Sequence, residues 1–342
     1  GVALVYPQAG RDLFDLTNGF ITQNAIGRVV VFDYPSGNRT TVTDGIGGKA
    51  VRISPDGSAF AAQTASDEGY GPVAVFDLTN GEQTAEMKGN CSWTLEGAAP
   101  VCVSGTGIPI GVLDLDFSVD GAMLAAAGGA SQRLFVWDPI TGEPLFVSDS
   151  LGSFPTTAVQ FSPDGAIVAV ASKSGTWVFD TSTWDQLASI PHVGVPSWAI
   201  RFSNDGRQLL AAQAHSGDIG VYDTGSWVLD RVVEVGPGQI RDLEISTDDS
   251  LVVTASSDGA IHVIDLQSGL LVDRIGLGGD ATNVTLVDDD SHLLVTSVGG
   301  PGEVYTLDVD ELVEIAASRV TRGYTESECE EFFVDVECPV AP

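Results

Sequence analysis

Val159-Gln160-Phe161-Ser162-Pro163-Asp164-Gly165 is the stretch that decides the fold. Val159 and Phe161 alternate with Gln160, so a short strand here carries one apolar face. Ser-Pro-Asp-Gly then turns the chain: proline presets φ, aspartate bonds to nearby backbone, and glycine accepts a positive φ. The phrase recurs as Val51-Arg52-Ile53-Ser54-Pro55-Asp56-Gly57, as Leu115-Asp116-Phe117-Ser118-Val119-Asp120-Gly121 and as Ile200-Arg201-Phe202-Ser203-Asn204-Asp205-Gly206. Weaker copies run from Leu243 to Asp249 and from Val284 to Asp290.

An apolar strand ending in an aromatic residue and aspartate accompanies the repeat, at Phe32-Asp33, Phe76-Asp77, Trp137-Asp138, Phe179-Asp180 and Tyr222-Asp223. Ile264-Asp265 and Leu307-Asp308 keep the aspartate with an aliphatic partner. The seven aspartates are spaced by 44, 61, 42, 43, 42 and 43 residues. A period of roughly 40–45 residues is that of a four-stranded blade. Thr141-Gly142 and Ser268-Gly269 supply the hairpin to a fourth strand.

In its aromatic-Asp endings and Ser-Pro-Asp-Gly turns, recurring across residues 11–308, the chain resembles the WD-repeat family. The resemblance implies an all-β fold, a seven-bladed β-propeller, and a role in protein interaction. The chain departs from the family in lacking its Gly-His before the first strand; His192 is the one candidate near that place. The buried His–Ser–Asp–Trp network of the family is therefore expected to be missing in most blades.

A propeller must hide its first and last edges. Residues 1–8, through Val2-Ala3-Leu4-Val5-Tyr6, are assigned as the outer strand that closes blade seven, within a propeller spanning 1–309. The alternative is six blades with residues 1–47 as a separate cap. The 61-residue spacing places an insertion in blade two, over 87–109. Residues 310–342 read as a helical tail packed on the propeller, with Leu312, Ile315, Ala316 and Val320 on one helical face. Thr325-Glu326-Ser327-Glu328 has the form of a capping box. The tail, from Glu311-Leu312-Val313-Glu314-Ile315-Ala316 to Cys338-Pro339, resembles the C-terminal ends of large bacterial multidomain regulators with WD-repeat domains. That resemblance implies a bacterial signalling or regulatory setting.

The 342 residues carry a net charge of −32, with 15 basic side chains against 47 acidic ones. Such a surface repels phosphate, so neither nucleic acid nor anionic membrane is expected as a partner of this domain. No apolar run reaches the ~18 residues of a membrane span. A monomeric, cytoplasmic propeller with protein partners is expected. Cys91 and Cys102, and Cys329 and Cys338, form two local pairs, open to two disulfides in an extracytoplasmic setting or to thiols in a reducing one. A zinc site would need all four to converge.

His192, His215, His262 and His292 fall at non-equivalent positions without metal-ligand spacing. Asp288-Asp289-Asp290 reads as a solvated turn rather than a Ca²⁺ site. No nucleophile elbow, Walker loop or dinucleotide fingerprint is present, and no cofactor or metal is expected.

The first strand of each blade lines the channel, so its positions can be compared between blades. Four residues before the Phe/Ile position stand Arg11, Lys49, Leu113, Thr157, Trp198, Arg241 and Thr282. Three of the 15 basic residues share this register, at the channel mouth. Trp198, Arg11, Lys49 and Arg241 are thus the candidate partner-binding residues, tryptophan and arginine being the types that dominate interfaces. One step on lie Asp12, Asp114 and Asp242, the candidates for an enzymatic or small-ligand alternative. Three steps on, Arg52 is expected beside Asp116 and Arg201 beside Glu244 in neighbouring blades. A non-catalytic interaction or sensing scaffold accounts best for these features.

Overall fold

The structure, a computed structural model, describes residues 2–7, 27–33, 38–66, 69–88, 111–129, 131–191, 197–213, 217–287, 289–297 and 303–319. Their strands form six antiparallel sheets. The first contains β1 (Val2–Pro7), β2 (Gly27–Asp33), β3 (Asn38–Ile53), β4 (Ala59–Ser66), β5 (Gly69–Asp77) and β6 (Gln83–Glu86). The second contains β7 (Asp114–Phe117), β8 (Leu124–Ala127), β9 (Leu134–Trp137) and β10 (Pro144–Val147). The third is β11 (Thr156–Phe161), β12 (Ile167–Ser172), β13 (Gly175–Asp180) and β14 (Gln186–Pro191). The fourth is β15 (Ser197–Phe202), β16 (Gln208–Gln213), β17 (Asp218–Asp223) and β18 (Val228–Glu234). The fifth is β19 (Ile240–Ile245), β20 (Leu251–Ser256), β21 (Ala260–Asp265) and β22 (Leu271–Gly276). The sixth has three strands, β23 (Ala281–Val287), β24 (His292–Ser297) and β25 (Glu303–Thr306), before the helix α1 (Val309–Arg319).

Each four-stranded sheet follows the repeat: the strand before Ser-x-Asp is innermost, and the strand ending in aromatic-Asp, or in Ile264-Asp265 in the fifth sheet, is third. The innermost strands β3, β7, β11, β15, β19 and β23 lie side by side in that order. This is the arrangement of propeller blades. Apolar layers between consecutive sheets hold it together. Leu134 and Val136 of β9 pack on Val159 and Phe161 of β11, and Ala158, Ala169 and Val178 pack on Ile200, Phe202 and Leu209. Fully burying such a side chain stabilises by roughly 1.5–3 kcal/mol.

The Ser-x-Asp turn supplies its own polar lock. In five sheets the serine hydroxyl donates to the aspartate two residues on, and the backbone N–H five residues on donates to the serine oxygen. Trp137 sends its indole N–H to the Lys88 carbonyl at 2.8 Å. Local turn bonds and packing thus take the place of the family's histidine-centred network among the described residues.

Two expectations need correction. Among the described residues there are six sheets, not seven, because β3 serves two repeat units at once. Its first half pairs with β2, its last residues pair with β4, and Ile46 faces both Gly27 and Thr64. Thr40, Thr41, Val42 and Thr43 favour extended backbone, and the Gly47-Gly48 stretch carries the register shift instead of a turn. Nor do β1 and β2 form a separate cap, since they continue the first sheet. The second correction concerns residues 1–8. β1 pairs with β2, Val2 opposite Phe32 through Pro7 opposite Gly27, and so does not close the last sheet. A nearby antiparallel partner of matching length costs less loop entropy than one 300 residues away.

Helix α1 is capped by Asp308, whose Oδ1 accepts the N–H groups of Asp310 (2.8 Å) and Glu311 (3.1 Å). None of its residues is buried; Glu311 ties it to β24 through His292 Nε2 at 2.9 Å. No helix among the described residues is long and apolar enough to cross a membrane.

Candidate functional site

The register singled out in the sequence has a structural counterpart. In β11, β15, β19 and β23 the pairing with the second strand slips at the same place, around Thr157, around Trp198 and Ala199, around Arg241 and around Thr282. A bulge takes its residue out of the hydrogen-bonded ladder and re-aims the side chain. Thr157 turns its hydroxyl to the carbonyls of Ala171 and, on the next innermost strand, Ser197. Thr282 meets the Thr296 carbonyl and hydroxyl. Trp198 remains 38% exposed. Arg241 lies on the neighbouring strand at the equivalent position, its side chain 19% exposed, with Nη2 3.6 Å from Asp280 Oδ2.

Of the other candidates, Arg11 lies outside the described residues, and so does the Lys49 side chain, although its backbone belongs to β3. Cys91, Cys102, Cys329 and Cys338 also lie outside them, as do Asp12 and Asp288.

Deeper along the innermost strands is a charged cluster. Arg52 Nε lies 3.4 Å from Asp116 Oδ1 and Nη2 3.7 Å from Asp114, while Nε also donates to the Leu115 carbonyl at 2.8 Å. Arg201 reaches Asp242 at 3.1 Å and Glu244 at 3.4 Å. The pairs expected from the repeat, Arg52 with Asp116 and Arg201 with Glu244, are therefore both formed. The sequence did not show that Asp114 and Asp242 join them. Nor did it show that the carboxylates bridge sheets through backbone. Asp114 accepts the Val159 N–H at 3.0 Å, Asp116 the Phe161 N–H at 2.8 Å, and Asp242 the Val284 N–H at 3.2 Å. The amide of Gln160 does the same for Phe202. β11, β15 and β23 are sheet edges, and side chains of the preceding innermost strand cap these N–H groups.

Burial raises the pKa of Asp114 and Glu244, and it pushes Asp116 up to about 6 despite the nearby Arg52. Burial works against the charge of Arg201, yet Asp242, Glu244, Asp114 and Asp116 hold its pKa above the ordinary value. Asp114 and Asp116 stand two sheets away from Arg201, and their charge adds to that of Asp242 and Glu244 in favouring the guanidinium. With Asp114 and Asp242 bound to arginine and backbone, these carboxylates act as structural ties rather than as a free acid–base pair.

The remaining described histidines are tied to structure. His262 is buried and faces Asp258 at 3.3 Å, with its pKa lowered chiefly by burial; Asp258 in turn meets Arg274 at 3.1 Å. Asp290 bonds through its carboxylate to the backbone and hydroxyl of Thr247, both at 2.6 Å. Among the described residues no group of His, Cys, Asp and Glu has the arrangement of a metal site.

The sequence is similar to those of known proteins. The WD40 family (WD domain, G-beta repeat) matches residues 89–138 and 231–265. The U3 small nucleolar RNA-associated protein 18 homolog of Homo sapiens is 28% identical over 160 residues, 45% of this chain and 28% of that protein. WD repeat-containing protein SL1-17 of Schistosoma mansoni is 28% identical over 166 residues, 48% of this chain and 53% of its own. Eukaryotic translation initiation factor 3 subunit I of Bombyx mori is 25% identical over 194 residues, 54% of this chain and 58% of its own. The chain thus spans between 28% and 58% of the length of these relatives. Four-stranded blades, repeated Ser-x-Asp turns and matched WD40 segments together support a WD-repeat β-propeller family for this chain.

Proposed function

We propose that this chain is a non-catalytic protein-interaction scaffold that docks its partner where the innermost strands begin, around Trp198 and Arg241. The observation that carries this is the bulge shared by four innermost strands, which takes the equivalent residues out of the ladder at the same end of the fold and leaves Trp198 exposed beside the position of Arg241. Propellers offer a rigid ring of such positions, and exposed tryptophan with arginine is the pairing that anchors interfaces. The net charge of −32 supports a protein rather than a nucleic acid as the partner.

The setting we assign is the C-terminal part of a larger bacterial signalling or regulatory protein, monomeric and cytoplasmic. The resemblance of the tail supports it; the three relatives named above are eukaryotic and bear only on the scaffold role. Titration of four thiols in freshly isolated native protein is expected in a reducing compartment, and their absence places the chain outside it.

A photo-crosslinking residue tests the docking end. One is placed at Trp198 and one at Ile140, which is exposed in the hairpin between β9 and β10 at the opposite end of the strands. Protein adducts in the native host are expected from position 198 alone. Adducts from 140 alone place the docking surface elsewhere.

A further inference from the structure

Among the described residues, most partly buried arginines are engaged through hydrogen bonds. Arg52 and Arg201 bind carboxylates and backbone carbonyls, Arg133 the Ser148 carbonyl, Arg231 the Leu266 carbonyl, and Arg274 Asp258. Arg241 differs in making no hydrogen bond to the described residues through any of its guanidinium nitrogens. Its Nε is buried and unmet, as is that of Arg231, but Arg231 still donates through Nη1 and Nη2, whereas the one ion pair of Arg241, with Asp280 at 3.6 Å, is too long for a hydrogen bond. A guanidinium carries five N–H donors in a planar fork that matches a carboxylate with two parallel bonds. Here the fork is four-fifths shielded from water yet unused, beside a half-exposed indole at the equivalent position of the adjacent strand.

We infer that Arg241 and Trp198 together receive an acidic side chain of a protein partner, its carboxylate on the guanidinium and a neighbouring apolar residue against the indole. This deepens the docking reading above and rests on it. Charge complementarity selects the ligand: a cation with unused donors stands out in a chain of net charge −32, where a basic partner would be drawn to many other places. Lysine would not serve equally, because it offers a point charge without the fork. Asp280, itself half exposed, is the competitor that a bound carboxylate must displace or share.

The experiment is selection of a phage-displayed random dodecapeptide library on the immobilised full chain, followed by affinity measurement on synthetic copies of the enriched peptides. Enriched sequences are expected to carry Glu or Asp next to an apolar residue. Replacing that acid by its amide, or Arg241→Gln in the chain, should weaken binding by at least about tenfold, the loss of a charge-assisted bond. Arg241→Lys should recover only part of it. Asp280→Asn should strengthen binding, which a merely structural arginine would not predict. Melting temperatures of all variants guard against misfolding. Peptides that bind equally well as amides, or bind Arg241→Gln unchanged while still needing Trp198, overturn the acidic ligand and leave the docking end standing. A selection that yields nothing sensitive to either Trp198→Ala or Arg241→Gln overturns both.

Discussion

The carboxylate of Asp249 accepts the backbone N–H of Asn204 at 2.7 Å, its side-chain amide at 2.9 Å, and the N–H of Asp205 at 3.0 Å. Asp249 has φ of 59° and stands where Gly57, Gly121, Gly165 and Gly206 stand in earlier repeats. Asp290, with φ of 67°, holds Thr247 in the same way. At the glycine positions the contact with the preceding turn is apolar instead: a Cβ at Gly121 would meet Pro55, and one at Gly206 would meet Pro163. The turns therefore form a continuous line from blade to blade, polar at one end and apolar at the other.

Asp249→Gly keeps the left-handed backbone free of strain but removes three bonds to the neighbouring turn. A net loss of about 1 kcal/mol is expected in urea denaturation, with Asp249→Asn losing less because asparagine tolerates this backbone and still accepts. Full stability in Asp249→Gly would show that the bonds between turns contribute nothing.

Stability should pass through a maximum on the acid side of neutrality. Burial raises Asp116 from 3.8 to about 6, so the folded chain binds its proton more tightly than the unfolded chain. Above pH 6 this costs the fold on the order of 3 kcal/mol, and the cost is relieved as pH falls from 7 towards 4. Asp114 and Glu244 are shifted in the same direction, again chiefly by burial. The turn aspartates run opposite. The Ser54 hydroxyl holds Asp56 at about 2, and Ser250 followed by Ser246 does so for Asp248. Their contribution is present above pH 4 and lost towards pH 2. Melting temperature should rise from pH 7 to 5 and fall below 4, and Asp116→Asn should flatten the rise. A monotonic fall from pH 7 would contradict the buried cluster as described.

Trp184 and Trp227 adopt φ of 62° and 57° at the fourth position after the aromatic-Asp ending, where Gly81, Gly142 and Gly269 serve in other sheets. The left-handed backbone costs each roughly 1–2 kcal/mol. Trp184 offsets this by stacking on Phe146, 4.7 Å between centroids and 3° between planes, across the boundary of two sheets. In a double-mutant cycle, Trp184→Gly and Phe146→Leu should couple by about 0.5–1.5 kcal/mol. Strict additivity would mean that the stack is incidental.

Thr254 Oγ1 is fully buried without a hydrogen-bond partner, directly across the β20–β21 ladder from His262, whose Nδ1 is likewise buried and unmet. Thr254→Val keeps the shape and the β-branch while deleting the unmet hydroxyl. It should stabilise by about 1 kcal/mol in denaturant titration. A loss of similar size would show that a water or another group satisfies the hydroxyl.

Much of this was legible in the residues because it is local or periodic. The Ser-Pro-Asp-Gly phrase encodes its own turn through a hydroxyl, a carboxylate and a glycine within five positions. The period places equivalent positions of adjacent innermost strands next to each other, which is why Arg52 with Asp116 and Arg201 with Glu244, 64 and 43 residues apart, could be paired in advance. The same equivalence exposed the Trp198–Arg241 register, although its bulges carry no signal in the residue types.

By itself, then, the sequence determined the repeat, the strand order within a blade and the charged neighbours across innermost strands, since each follows from short-range alternation or from translation by one period. Tertiary structure alone decided that β3 runs through two units and leaves six sheets, and that β1 pairs with β2. These depend on which of several apolar edges meet in space, and alternation is the same whichever partner wins. It also decided that Asp114, Asp116 and Asp242 cap backbone N–H groups of the next innermost strand, because that contact depends on how neighbouring blades are placed against one another.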